Sequence, residues 1–173
     1  PPPPPPPPPP TFFFKAEAGI GYSVASRWLG DVYKRQTQKG VVKKTVLSAY
    51  GKPRKGGIYA IEIREGDKLI EARITNGEHD ILLGTYEGKS IRFSENNIRP
   101  SGRKTMGVRG IKLSSEQDYV VGMLVVKREG TILVATKKGY GKRTEVIQYR
   151  TQTRAGKGVL TMRCTDCLLY TSP

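Results

Sequence analysis

Apolar positions in this chain come in short runs rather than in stripes of helical period. Ile58 to Ile63 (IYAIEI), Ile81 to Thr85 (ILLGT), Tyr119 to Val126 (YVVGMLVV) and Thr131 to Thr136 (TILVAT) are rich in β-branched and aromatic residues, the composition that fits a pleated, packed surface and predicts strands. The segments between them carry Asn76-Gly77, Glu87-Gly88, Glu129-Gly130 and Lys138-Gly139, where glycine admits positive φ at little steric cost and the chain can reverse. No window presents apolar residues at the i, i+3, i+4, i+7 spacing of an amphipathic helix. The pattern predicts an all-β protein.

A repeat sets the architecture. TQKGVVKKT from Thr37 recurs as TYEGKSIRF from Thr85 and TKKGYGKRT from Thr136, each with Thr-x-x-Gly and then a basic residue seven positions after the threonine: Lys44, Arg92 and Arg143. Each copy continues through a polar stretch to an arginine followed by glycines, in PRKGGI from Pro53, GRKTMGVRGI from Gly102 and TRAGKGV from Thr153. A period near 50 residues with about four strands per unit predicts an array of blades, each a small sheet that buries its faces against its neighbours. The expected units are approximately 37–79, 80–128 and 129–166.

The two ends stand outside this repeat. Pro1 to Pro10 is a proline run, and the residues after it follow neither a strand nor a helical period. Asp31-Val-Tyr-Lys-Arg-Gln36 can be encoded by GATGTGTATAAGAGACAG, and Cys167-Leu-Leu-Tyr-Thr-Ser172 by the reverse complement of the same string, one base out of frame. That string resembles the transposase end of sequencing-library adapters, so residues 1–36 and 167–173 are read as translated adapter. Residues 1–36 are expected to be unstructured and to form no strand in register with the blades, and residues 167–173 to be a non-native tail. On this reading the Cys164/Cys167 pair, despite its C-x-x-C spacing, is not a zinc or redox site.

Charge narrows the function. Thr37 to Asp166 holds 26 Lys and Arg against 13 Asp and Glu, a net charge of +13, which points to a polyanionic partner. Nucleic acid is favoured over an anionic membrane because no basic amphipathic helix is visible. One native cysteine, no signal peptide and no bilayer-spanning apolar run fit a soluble cytoplasmic protein.

ATKKGYGKRTEVIQY, preceded by RFSENNIRPSGRKTMGVRGIKL and, before that, GVVKKTVLSAYGKPRKGGIYAIEIREGDKLI, resembles three consecutive blades of the β-pinwheel at the C-terminus of gyrase A proteins. GVRGI from Gly107 and GYGKRT from Gly139 stand in order and at the family's blade spacing. The resemblance implies a partial arc of about three four-stranded antiparallel blades that exchange strands and wrap double-stranded DNA around a basic rim. The family's heptapeptide box, of the type QRRGGKG, precedes its first blade. Gln152-Thr-Arg-Ala-Gly-Lys-Gly158 is similar to it, departs at two of seven places, and is read as a degenerate copy. Its glycines suit either a tight turn or backbone contact with phosphate.

The residues expected to contact DNA are Lys43, Lys44, Arg54, Lys55, Arg92, Arg99, Arg103, Lys104, Arg109, Lys142, Arg143, Arg150, Arg154 and Lys157. Residues repeated at one place in successive blades form a continuous stripe, and wrapping requires charge spaced along phosphates rather than base readout. Arg64, Lys68, Arg73 and Lys127 are expected to be ordinary surface charges. No catalytic or metal-binding residue is expected. His79, in the turn NGEHD, has no nucleophilic partner by spacing, and no GxxxxGK[ST] nucleotide motif occurs. For a full assembly the resemblance implies ATP and Mg, with two protein partners: the N-terminal part of gyrase A, and gyrase B. The rival functions are the equivalent domain of topoisomerase IV and, from a different class, a propeller-type protein-interaction module.

Overall fold

The computed structural model describes residues 32–52, 55–127, 129–136, 139–163 and 169–172. The strands are β1 (Val32–Thr37), β2 (Val41–Val46), β3 (Leu69–Thr75), β4 (Asp80–Thr85), β5 (Lys89–Ser94), β6 (Val108–Arg109), β7 (Val120–Val126), β8 (Thr131–Thr136), β9 (Gly141–Glu145), β10 (Val159–Leu160) and β11 (Leu169–Ser172). Short 3-10 turns follow β2, β5 and β9, and no α-helix occurs among the described residues.

Three sheets result, ordered β3-β1-β2-β6, β10-β5-β4-β7 and β11-β8-β9, with every strand pair antiparallel. The order contains an exchange: β6, from the second repeat, pairs with β2 of the first sheet, and β10, from the third repeat, pairs with β5 of the second. Backbone contacts repeat at both junctions. Ser101 N–H donates to the Lys44 carbonyl as Gln152 N–H does to that of Arg92, and Glu62 N–H donates to Thr105 as Lys112 N–H does to Gly156.

The two cores lie between the sheets. Ile81 and Leu83 of β4 join Val42, Ile91, Phe93, Ile98, Ile111, Val120 and Met123 on one side. Leu82, pointing the other way, joins Ile132, Val134, Val146 and Tyr149. Side chains alternate across a strand, so a strand covered on both faces needs a continuous apolar run, which ILL supplies.

Two expectations are corrected. IYAIEI, expected as a strand, is not assigned as one. Its first two residues correspond to β6 and β10, the exchanged strands, and a strand exists only through the neighbour that hydrogen-bonds it. Secondly, no strand is expected over residues 32–36, yet β1 is central in the first sheet, paired to β2 and β3; β11, in the tail, pairs with β8. Ladder hydrogen bonds are made by backbone that every residue carries, so an open slot between two strands accepts sequence that does not match its core. The mismatch is visible in the side chains. Lys34 and Arg35 stand where Leu82 and Leu83 stand in the second repeat, and they are 1% and 2% exposed. Lys34 lies against the Glu95 carboxylate. Burial first, and then the Lys44 charge, push its ammonium down to about 7. Residues 1–31, Cys164 and Cys167 lie outside the described residues.

Candidate nucleic-acid interface

Basic residues in this molecule divide by where the repeat puts them. The first group sits on strands. Lys43 and Lys44 of β2 are buried, 1% and 7% exposed. The Lys43 ammonium donates to the carbonyls of Ala60 (3.1 Å), Arg103 (2.6 Å) and Thr105 (2.9 Å). Burial, and then the Arg35 guanidinium, hold it down to about 8, with Glu62 pulling it back up. Burial also lowers Lys44. Arg92 of β5 donates through Nε to Asp80 Oδ2 at 2.8 Å and through a terminal nitrogen to the carbonyls of Val146 (2.9 Å) and Tyr149 (3.2 Å). These three are expected to face phosphates; the structure buries the two lysines and partly covers Arg92, whose guanidinium is taken up by Asp80 and two carbonyls, because a strand packed between blades covers its polar positions with its apolar ones. Lys142 and Arg143 of β9, at the same repeat positions, are exposed.

The second group sits on loops after the second strand of each repeat. Arg99 and Arg150, equivalent in register, are both exposed, as are Lys55, Lys104 and Lys157 and, on the exchanged strand β6 rather than on a loop, Arg109. Arg103 and Arg154, also equivalent, are partly covered. Arg154 uses Nε on the Asn97 carbonyl (2.9 Å) and a terminal nitrogen on that of Arg109 (3.2 Å). Lys104 Nζ stands 6.0 Å above the exposed Tyr59 ring, within reach of the ring's negative face. Arg54 lies outside the described residues. Lys112 is exposed too and sits at the second junction through its N–H to Gly156. The repeat register does not single it out, because Glu62 stands at that place in the first repeat.

The box-like segment is built as a junction turn. Gln152 N–H and Ala155 N–H donate to the carbonyls of Arg92 and Gly110, so neither is available to phosphate. Gly158, with φ +72°, approaches Ser90 so closely that a Cβ there would lie 2.5 Å from its carbonyl oxygen. Gly107 does the same against Val42 at 2.6 Å. Only glycine allows the exchanged strand this near. Ala155, at a glycine position of the box pattern, has φ +67°.

The family model described as the DNA gyrase C-terminal domain, beta-propeller, matches residues 36–76, 79–127 and 130–166. The chain belongs to the DNA gyrase C-terminal domain family. Its relatives include the gyrase A protein of Escherichia coli (strain K12), 46% identical over 130 residues that make up 75% of this chain and 15% of that protein. The gyrase A protein of Chlamydia trachomatis serovar D is 48% identical over 124 residues, 71% of this chain and 15% of that protein. The chain therefore spans about 15% of the length of these curated relatives. Among solved structures, the C-terminal domain of DNA topoisomerase IV superposes with a TM-score of 0.76 at 27% identity, covering 84% of this chain and 47% of that one. The DNA gyrase A C-terminal domain superposes with a TM-score of 0.70 at 21% identity, covering 84% and 50%. The second likeness speaks to the fold alone.

Proposed function

We propose that this domain binds duplex DNA through the phosphate backbone and bends it along successive blades, as the DNA-wrapping part of a gyrase A protein. The observation that carries the reading is the recurrence of exposed cations on equivalent junction loops, Arg99 with Lys104 and Arg150 with Lys157. Cations on a stack of blades face consecutive stretches of a bent duplex, and their phosphate contacts offset a bending cost of roughly several kcal/mol for a few tens of base pairs. No step needs a base edge. In the whole enzyme, in the cytoplasm, the N-terminal part of gyrase A would cleave DNA and gyrase B would hold ATP with Mg, while this domain would set the path of the DNA that becomes supercoiled. The gyrase reading is preferred to topoisomerase IV because the matching family model is the gyrase one and the curated relatives, up to 48% identical, are gyrase A proteins. A protein-interaction module would not need this density of loop cations.

The test is topological. The chain is bound to nicked circular DNA, the nick is sealed by ligase, and the linking number is read after the protein is removed. Wrapping shifts the distribution relative to DNA sealed alone. Saturated binding with no shift would overturn the wrapping reading and leave only attachment.

A further inference from the structure

Lys43 makes no contact that the wrapping function uses directly, yet its surroundings tie it to that function. Its ammonium is buried and has three protons, and three carbonyl oxygens lie within 3.1 Å of it. An ammonium has three donors and no acceptor, so the site satisfies it completely. The acceptors come from two repeats. Ala60 lies in the first repeat, in the segment that runs beside the second repeat's turn; Arg103 and Thr105 flank Lys104 in that turn. The two segments also meet through Glu62 N–H to the Thr105 carbonyl at 3.2 Å, and Tyr50 Oη donates to the Ala60 carbonyl at 3.3 Å. The turn is otherwise exposed: Gly102, Lys104, Thr105 and Met106 all face solvent. Such a turn has few apolar contacts to hold it, and the hydrogen bonds at its base decide its order. Thr105 Oγ1, bonded to the Gly102 carbonyl at 2.9 Å, closes it locally.

We propose that Lys43 is a positioning residue: from inside the blade junction it clamps the carbonyls of Arg103 and Thr105 and so presents Lys104 to the DNA backbone. The proposal rests on the reading of the junction loops as phosphate contacts. A charge-assisted hydrogen bond is roughly twice as strong as a neutral one. Two of them at the base of a short turn fix the direction in which the intervening lysine emerges. A lysine held in place loses less freedom on meeting a phosphate than one on a disordered turn. Lys43 thus raises affinity without itself neutralising a phosphate.

Affinity for a fluorescent duplex of mixed sequence, measured on the full chain across a salt series, separates the two roles, together with amide hydrogen exchange over residues 102–106. Lys104→Ala removes a phosphate contact and lowers the slope of log affinity against log salt by about one unit. Lys43→Met should weaken binding several-fold, leave that slope unchanged and speed exchange in the turn. Lys43→Arg, which keeps the charge and several donors, should restore most of both. A slope lost in Lys43→Met as in Lys104→Ala would make Lys43 a phosphate ligand and overturn the proposal, as would unchanged affinity and exchange. Should Lys43→Met fail to fold, Lys43→Gln, which keeps N–H donors without charge, is held to the same outcomes. An unchanged slope in Lys104→Ala would instead refute the phosphate reading of the turn, while the exchange rates still decide whether Lys43 orders it.

Discussion

Ala155 carries the one positive φ of a non-glycine residue among the described residues, at +67°. An L-residue pays roughly 1 kcal/mol there relative to glycine. Ala155→Gly should therefore raise the unfolding free energy by about 0.5–1 kcal/mol in chemical denaturation, part of the gain being cancelled by the extra freedom of the unfolded chain. Gly158→Ala should do the opposite and by more, because its Cβ would meet the Ser90 carbonyl at 2.5 Å. Lys34 gives a pH dependence. Its folded value is lowered to about 7 from an ordinary 10.5, so between those values the unfolded chain holds a proton that the folded chain has lost. Stability should then rise as pH increases through that window and be lowest below it, where both states are protonated and the buried charge must be desolvated. At the second junction Leu82 and Val146, the counterparts of Lys34 and Glu95, share an apolar cluster. Replacing the buried pair by Lys34→Leu with Glu95→Val should flatten the pH profile, with a stability loss set by the Thr75 hydroxyl and His79 N–H that donate to the Glu95 carboxylate, whereas Glu95→Val alone, which strands the lysine as well, should destabilise more. Denaturation midpoints at several pH values check all three.

At the scale of elements, strand exchange holds the blades together, and its weakest points are the glycines that let β6 and β10 approach. Gly107→Ala places a Cβ 2.6 Å from the Val42 carbonyl oxygen and forces a left-handed residue to carry a side chain. The expected cost is about 2 kcal/mol or more, with amide exchange rising at Val42 and Val108 before the β4–β5 hairpin responds. Uniform protection loss would show that the exchange strand is not a separate weak point. Much of this architecture was legible in the sequence. The runs at Ile81, Tyr119 and Thr131 became β4, β7 and β8 because apolar residues on both faces of a strand mark a buried blade. The exchanged strands were not legible as strands: two residues after a glycine carry no periodicity, and their partners lie a repeat away. β1 was not legible either, since Lys34, Arg35 and Gln36 contradict the slot they occupy.

Across the whole molecule, the charge pattern was legible and its inside and outside were not. Repetition pointed to Lys104 and Lys157, which the structure leaves exposed on loops, but the same logic put Lys43, Lys44 and Arg92 on the rim, where the structure has the two lysines buried and Arg92 partly covered. A repeat fixes equivalence between positions, and only packing fixes which face they show. The central claim, that exposed loop cations bind phosphates, is tested most directly by salt dependence. Arg99, Lys104 and Arg150 are replaced together by Ala and compared with a control in which Lys68, Arg73 and Lys127, also exposed, are replaced together. Both lose three charges. For several unrelated duplexes, the loop variant should lose roughly three units of slope in log affinity against log salt, equally for each sequence, and the control close to none. Equal losses in the two variants would mean that net charge alone drives binding, and would contradict an interface built on the junction loops.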